Sequence, residues 1–484
     1  MCETKRKMPD YKTGIYSLMG ILLLFGIDFR IEYATDSYFL FQTTGNWKHM
    51  ICSNGRLITG MFMYVAEKLH LTDVCIYTCS WCLAIMCLTA AVTVLSGLLM
   101  KYYDNRVLCV GLSIITLANF FSVEYFLFLE KGFFQLGILF LVCALRTVEQ
   151  RLCGEKEKGA WMTAFVWLLL ASFTYQITIG MFVILCLPFL LIYARNPADF
   201  IKNNVRVACI YGGCLLFQLI WTKYLFHISR IENEIGSIDF IQNLKETIRT
   251  FWTITVHFAW LYKMKYSFLL LLAAVLLYSM TALRKERYFL FRIFYLMAGV
   301  AAVSLLPYVS GITKDWSKRL IYPYASVFGI LMIIVWITPR VTEKTKKTAL
   351  WLVGVIFVME YVCFGNVFIE RYKNNQADRE LAMTIGQAVR EYESRTENIV
   401  NYIAVYYDQN ICYQLEGLTT GGMTGRSMVT DWSDVNAINY YLHTDFVRKE
   451  PDEKYQVYFG SRDWYTYSPE QLVFEGDTLH MCVY

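Results

Sequence analysis

Residues 30–73 hold side chains of the kinds that can move a group off a lipid phosphate. The stretch YATDSYFLFQTTGNWKHMICSNGRLITG (33–60) contains Asp36, Tyr38, Trp47 and Arg56, and Glu32 stands just before it. A positioned carboxylate can take the proton of an attacking hydroxyl. A guanidinium offers a planar fork of donors that can grip a departing phosphate in a bidentate manner. Aromatic faces such as Trp47 and Tyr38 can stack on a sugar or lie against a lipid chain. These parts suit transfer of a sugar from a lipid phosphate to a hydroxyl.

The spacing of the acids sets an expectation. Asp28, Glu32 and Asp36 recur every fourth residue, so a helix continuing through them would carry all three on one face. An acid at membrane depth is costly unless it faces water or a partner. Asp28 reads best as an interfacial acid ending a helix. Asp36 heads a long aromatic loop and is the first choice as base. The run DSYFLFQTTGNWKHMI predicts a helix lying along the membrane interface, with Phe39, Phe41 and Trp47 toward lipid. SNGR is a turn signal, and Arg56 begins the return.

Further along, Lys318 and Arg319 open an apolar run after GITKDWS. Cations there can meet a lipid phosphate, or they can simply snorkel to the interface. Tyr175 and Gln176 fall in a tight turn between two apolar runs, where they can bond a sugar or serve as a polar helix-breaking tip. Glu124 reads as an interfacial acid near another turn. His227 and His257 have no partner at metal-ligand spacing, so neither a metal nor another cofactor is expected.

What must position these residues is a membrane bundle. Of the 484 residues, 56% are hydrophobic and 18% charged, against roughly 25% charged in soluble chains. Mean hydropathy is +0.38. Long apolar runs predict a polytopic α-helical membrane protein with about eleven spans: 13–29, 74–100, 107–123, 131–146, 161–174, 176–194, 205–226, 265–283, 288–308, 321–338 and 349–369. The Gly14–Ile27 run has basic residues before it but no small-residue cleavage site, which predicts a retained helix rather than a signal peptide. Lys/Arg-rich loops at 5–7, 101–106, 146–158, 195–206, 284–287 and 340–347 fall on one side of such a bundle. That predicts a cytoplasmic N-terminus and, with an odd number of crossings, an external C-terminus. The larger outer segments are then 30–73 and 227–264, with a shorter one at 309–320. No Lys/Arg tract suggests nucleic-acid binding.

The chain divides into a membrane domain, 1–370, and a polar extracytoplasmic α/β domain, 371–484. QADRELAMTIGQAVREYES (376–394) has helical periodicity. NIVNYIAVYY, KYQVYFG and TLHMCVY read as strands. Cys412 and Cys482 can pair in an oxidising exterior or stay as partly buried thiols. The 15 cysteines are otherwise scattered through apolar runs. Cys79 and Cys82 form a CxxC without a second ligand pair, which reads as helix-packing cysteine rather than a zinc site.

The order of motifs resembles the bacterial GtrII-type glucosyltransferase family. DSY…W…SNGRLITGMFMYV is similar to that family's first outer loop, FTYQITIGMFVILCL (173–187) to its middle helix, and KRLIYPY (318–324) to its later Arg-Leu segment. The likeness covers roughly residues 15–370, and the tail is similar to those of Gram-positive members. It implies a GT-C fold, a bacterial plasma-membrane location and a polyprenyl-phosphate sugar donor, glucose in the first place. The family pattern pairs two acids in the first loop. Here Ser37 follows Asp36, which leaves Glu32 as the second acid.

Three functions are therefore weighed. The leading one is an inverting glycosyltransferase that carries a hexose from a polyprenyl-phosphate donor to a cell-envelope glycan or polymer. Asp36 or Glu32 would act as base, Arg56, Lys318 and Arg319 would hold the donor phosphate, and Tyr38, Trp47, Tyr175 and Gln176 would contact sugar or lipid. A lipid or polysaccharide transporter or flippase is the second; no internal repeat supports it. A non-catalytic membrane scaffold with an outer binding domain is the third, and it leaves the first-loop acid and cations unexplained.

Overall fold

A computed structural model of the chain describes residues 10–42, 45–155, 159–225, 240–256, 266–310, 316–407, 425–462, 464 and 467–483. His227, His257 and Cys412 lie outside the described residues, so the histidine reading and the Cys412–Cys482 pairing do too.

The protein is predominantly helical. Among the described residues six helical segments are long and apolar enough to cross a membrane: Tyr11–Phe29, Asp73–Met100, Lys131–Leu152, Pro197–Lys223, Phe289–Val309 and Glu343–Thr396. Shorter apolar helices stand at the other five expected spans: Arg106–Leu117, Ala160–Thr174, Gly180–Tyr193, Ser267–Leu283 and Val327–Ile337. Their ends follow local chemistry. Asp10, Thr72, Asn105 and Asn196 each accept a backbone N–H of the first turn, satisfying donors a helix start leaves open. Pro197 follows Asn196 at the first helical position, where its missing N–H costs nothing.

The chain divides into two compact units. The first comprises residues 1–29, 45–126 and 130–365; the second comprises 30–44, 127–129 and 366–484. In the first unit, Asp73–Met100 packs on Lys131–Leu152, which packs on Ala160–Thr174. Small residues let these backbones approach. A Cβ on Gly132 would meet Ser80 O at 2.7 Å, and one on Gly137 would meet Thr174 Oγ1 at 2.4 Å. Close approach of this kind replaces the hydrophobic drive that lipid removes. Phe289–Val309 instead leaves Leu290, Phe294 and Leu306 widely exposed, as a lipid-facing helix does.

The second unit carries a four-stranded sheet in the order β2-β1-β4-β3, with β1 at Tyr402–Tyr407, β2 at Val447–Arg448, β3 at Leu472–Glu475 and β4 at Thr478–Val483. β1 runs parallel to β2 and β4, and β3 pairs antiparallel with β4. Gly476, at φ +60°, opens the two-residue turn of that hairpin, as two-residue hairpin turns require. β4 is buried along its whole length.

Three local expectations are corrected. The first helix does not carry Asp28, Glu32 and Asp36 on one face. It ends in a 3-10 turn at Gly26–Phe29, residues 31–34 are non-helical, and a new helix starts at Thr35. The interfacial run 36–51 is likewise two helices, Thr35–Gln42 and Asn46–Cys52, the second opened by Gly45 at φ +79°. KYQVYFG is not a strand: Glu453–Gly460 is a helix capped by Asp452. Tyr455 and Phe459, one turn apart, pack with Trp464 against Ala404, Tyr406 and Cys482 of the sheet. A strand would put Val457 on the same face as Tyr455 and Phe459, whereas the helix turns Val457 out to 74% exposure and keeps the other two against the sheet. The runs 349–369 and 376–394 also belong to one 54-residue helix, Glu343–Thr396.

Candidate functional site

The first unit holds two arginines, each tied to a glutamate of one short segment. Arg56 follows Gly55, whose φ of +63° belongs to the left-handed region. A Cβ on Gly55 would lie 2.6 Å from Gln218 Oε1 and 2.9 Å from Gln176 Nε2, so both conformation and space call for glycine. Gln176 donates to the carbonyl of Asn54 and lies 3.5 Å from Gln218 Oε1; Gln218 donates in turn to Ser172 Oγ at 2.9 Å. These bonds pin the Asn54–Gly55–Arg56 turn. Gln176 thus positions Arg56.

Arg56 Nη1 sits 3.4 Å from Glu130 Oε1. Its guanidinium lies 4.5 Å from the Tyr175 ring centroid and 5.8 Å from that of Phe134. Tyr175 sits where Ala160–Thr174 ends, in extended backbone that breaks the helix before a 3-10 turn. Its ring packs edge-on to Tyr125 at 5.7 Å. The Tyr125 hydroxyl donates to the carbonyl of Arg319 at 2.8 Å. Arg319 closes on Glu124, its backbone N–H donating to Oε2 at 2.6 Å and its Nη1 to Oε1 at 3.2 Å. A chain Arg56–Tyr175–Tyr125–Arg319 results, flanked by Glu130 and Glu124. The Arg56 and Arg319 side chains keep 17% and 18% of their surface open, enough to be reached while held. The buried Nε–H of Arg56 has no acceptor among the described residues.

Trp47 stands apart from this chain, edge-on to Tyr64 at 4.9 Å. Lys318 is half-exposed beside Arg319. Asp28 is no exposed acid at a helix end. It forms a fully buried ion pair with Lys131 at 2.7 Å, and the Tyr77 hydroxyl donates to its carbonyl at 2.8 Å. Lys131 Nζ also lies 3.9 Å from the Tyr77 ring centroid. This pair lies in the 3-10 turn that follows the first helix.

The second unit holds the remaining sequence candidates. Glu32 lies in the non-helical stretch before Thr35–Gln42. Its neighbour Tyr33 is clamped by Asn375, which accepts the Tyr33 N–H at 3.2 Å and donates to the Tyr33 carbonyl at 3.0 Å. Glu32 is 9% exposed and accepts no hydrogen bond among the described residues. Burial pushes its carboxyl up to about 7, against the opposing pull of Arg371, Arg30 and Arg379. Asp36, in the first turn of Thr35–Gln42, accepts the Trp432 indole N–H at 3.0 Å. Tyr38 is fully buried. Its hydroxyl donates to Asn375 Oδ1 at 2.7 Å and lies 2.5 Å from the Tyr441 hydroxyl. Tyr38 therefore frames the segment and offers no open face. Below this, Asp378 receives Arg426 Nε and the Ser427 N–H, each at 2.6 Å.

The structure thus brings Arg56, Tyr175, Gln176 and Arg319 together in one unit and Glu32, Asp36 and Tyr38 in the other. Sequence reasoning missed Glu130, Lys131, Tyr125 and Asn375. Glu130-Lys131 inside the apolar run FLFLEKGFF was the available signal, since charge in such a setting marks a partnered or functional site. Among the described residues no group of side chains could hold a metal ion. No protein-family model, curated protein or solved structure matches the chain.

Proposed function

We propose that the chain is an inverting membrane glycosyltransferase. It moves a hexose, glucose in the first place, from a polyprenyl-phosphate donor to a cell-envelope glycan at the outer face of a bacterial plasma membrane. In this reading the bundle is GT-C-like and crosses eleven times, with the N-terminus in the cytoplasm and the polar C-terminal region outside. The observation that carries it is the pair of glutamate-held, partly open arginines joined through Tyr175 and Tyr125.

Inverting transfer needs two things. The departing phosphate must be stabilised as charge builds on it, and fixed donors do this best because they need not reorganise. Arg56 and Arg319 are held by Glu130 and Glu124, and the Arg56 Nε–H is left to donate to a phosphate oxygen. Lys318 adds a point charge. The acceptor hydroxyl must lose its proton as it attacks. Glu32, a carboxyl shifted to about 7 by burial, is matched to that task near neutral pH. Asp36, already accepting from Trp432, is the alternative base. The hydroxyl oxygen attacks the anomeric carbon, the bond to the phosphate oxygen breaks with its electron pair, and the acceptor proton passes to a base.

The test is release of polyprenyl phosphate from labelled polyprenyl-phosphate-glucose by the purified full chain in nanodiscs. Release that Arg56→Ala and Arg319→Ala abolish supports the reading. A wild-type chain that neither binds nor turns over this donor, nor its other hexose analogues, overturns it.

A further inference from the structure

The second unit carries a pocket of about 430 Å³ on the far part of the long helix, lined by Val389, Arg390, Asn401, Asp445 and Phe446 among others. That size falls within the roughly 300–1,000 Å³ of small-molecule sites. Gly386, Val389, Arg390 and Glu393 line one wall, the spacing of a single helix face. Gly386 leaves room there, since a Cβ would lie 2.6 Å from Leu442 Cδ2.

The opposite wall is fixed. The Asn401 backbone N–H donates to Asp477 O, and its carbonyl accepts the Val447 N–H, both at 2.9 Å. The Asn439 side chain clamps Phe446, accepting its N–H and donating to its carbonyl, both at 2.8 Å. Glu393 accepts the Val400 N–H at 2.9 Å. Three polar side chains at the pocket remain uncommitted. Arg390, the Asn401 amide and Asp445 make no hydrogen bond or ion pair with any described residue. Beside them lies an apolar patch of Val389, Val400, Leu442 and Phe446.

The charge balance selects the ligand. Glu393 and Asp445 line the pocket with Arg390 as its one guanidinium, a balance of two acids to one base that disfavours a phosphate or other anion. A carboxylate, an amide and a guanidinium together offer donors and acceptors in the mixture that vicinal hydroxyls need. The apolar patch matches the C–H face of a pyranose ring. We propose that this pocket binds a neutral sugar unit of the acceptor glycan. That the sugar belongs to an acceptor rests on the transferase reading; the neutral-sugar site does not.

The full chain in nanodiscs is titrated with maltotetraose and chitotetraose as neutral probes and with a glycerol-phosphate oligomer as the anionic one, by calorimetry and saturation-transfer NMR. At least one neutral probe binds, and Asn401→Ala and Asp445→Ala each weaken it about tenfold, the size of one hydrogen bond. Thermal unfolding of the variants confirms that they fold, and Phe446→Leu keeps the packing while removing the ring. No binding of either neutral probe, binding unchanged in folded Asn401→Ala and Asp445→Ala, or binding of the glycerol-phosphate oligomer that Arg390→Gln removes overturns the proposal. Polyprenyl phosphate release is measured in parallel. Sugar binding lost in the variants with no donor turnover in the wild type keeps the pocket and sinks the transferase reading. Donor turnover whose acceptor KM the variants leave unchanged sinks the pocket as the acceptor site.

Discussion

The guanidinium of Arg56 rests 4.5 Å from the centroid of the Tyr175 ring while its Nη1 faces Glu130 at 3.4 Å. A cation over an aromatic face gains about 0.5–2 kcal/mol, and the carboxylate fixes the direction of the fork. Lysine in its place keeps the charge and loses the plane and the Nε–H. Arg56→Lys is expected to weaken polyprenyl-phosphate-sugar binding by roughly ten- to a hundredfold, the range of one lost charge-assisted hydrogen bond. Tyr175→Phe keeps the ring and is expected to bind donor nearly as wild type. Equilibrium donor binding checks both.

Lys131 and Asp28 behave differently, because neither side chain reaches solvent. Removing one partner strands a buried charge, at a cost of about 3–5 kcal/mol. Lys131→Met is expected to lower the thermal midpoint in detergent strongly, and Lys131→Met with Asp28→Asn to recover much of it. Thermal unfolding of the three proteins checks this. Equal destabilisation of the single and double variants would show that the pair is not what holds the end of the first helix.

Glu32 titrates where activity is measured. Its carboxyl must be ionised to accept a proton, and burial holds it at about 7 instead of 4.5. Transfer is expected to rise with pH through about 7. Glu32→Gln is expected to lower the rate by roughly 10²–10⁴-fold while leaving donor binding in place. Stability has the opposite slope. The folded state holds the proton more tightly than the unfolded one, so stability falls as pH rises from about 4.5 to about 7. Glu32→Gln flattens that part of the curve. Transfer that stays near the wild-type rate in Glu32→Gln and is lost in Asp36→Asn moves the base to Asp36.

His480 gives a second pH signal, in the sheet. It stacks on Tyr455 with centroids 3.9 Å apart and meets the Tyr406 hydroxyl through Nδ1 at 3.0 Å. Burial holds its pKa below 6.5, against the pull of Glu475. The unfolded chain therefore binds the proton more readily, and stability falls as pH drops through 6.5 toward the folded value. His480→Phe is expected to remove this acid-side loss, read from unfolding midpoints between pH 7 and pH 5.

By itself the sequence determined what depends on near neighbours. The apolar runs and their helical periods marked the helices, since burial along a helix repeats locally. The β-rich runs at 402–407 and 478–483 read correctly because both form buried central strands. Asp36, Arg56, Tyr175 and Arg319 stood out because charge and polarity are conspicuous beside apolar runs. Tertiary structure decided the partners. Glu130 is 74 residues from Arg56 and Glu124 is 195 from Arg319, and no local pattern encodes a contact across such distances. The same holds for the Asp28–Lys131 pair, whose partners are 103 residues apart, and for the helix at 453–460, whose Tyr455 and Phe459 pack on the sheet. A buried charge must find its counter-charge wherever the fold brings one. Residue types announce that need, and only the packed chain says which residue meets it.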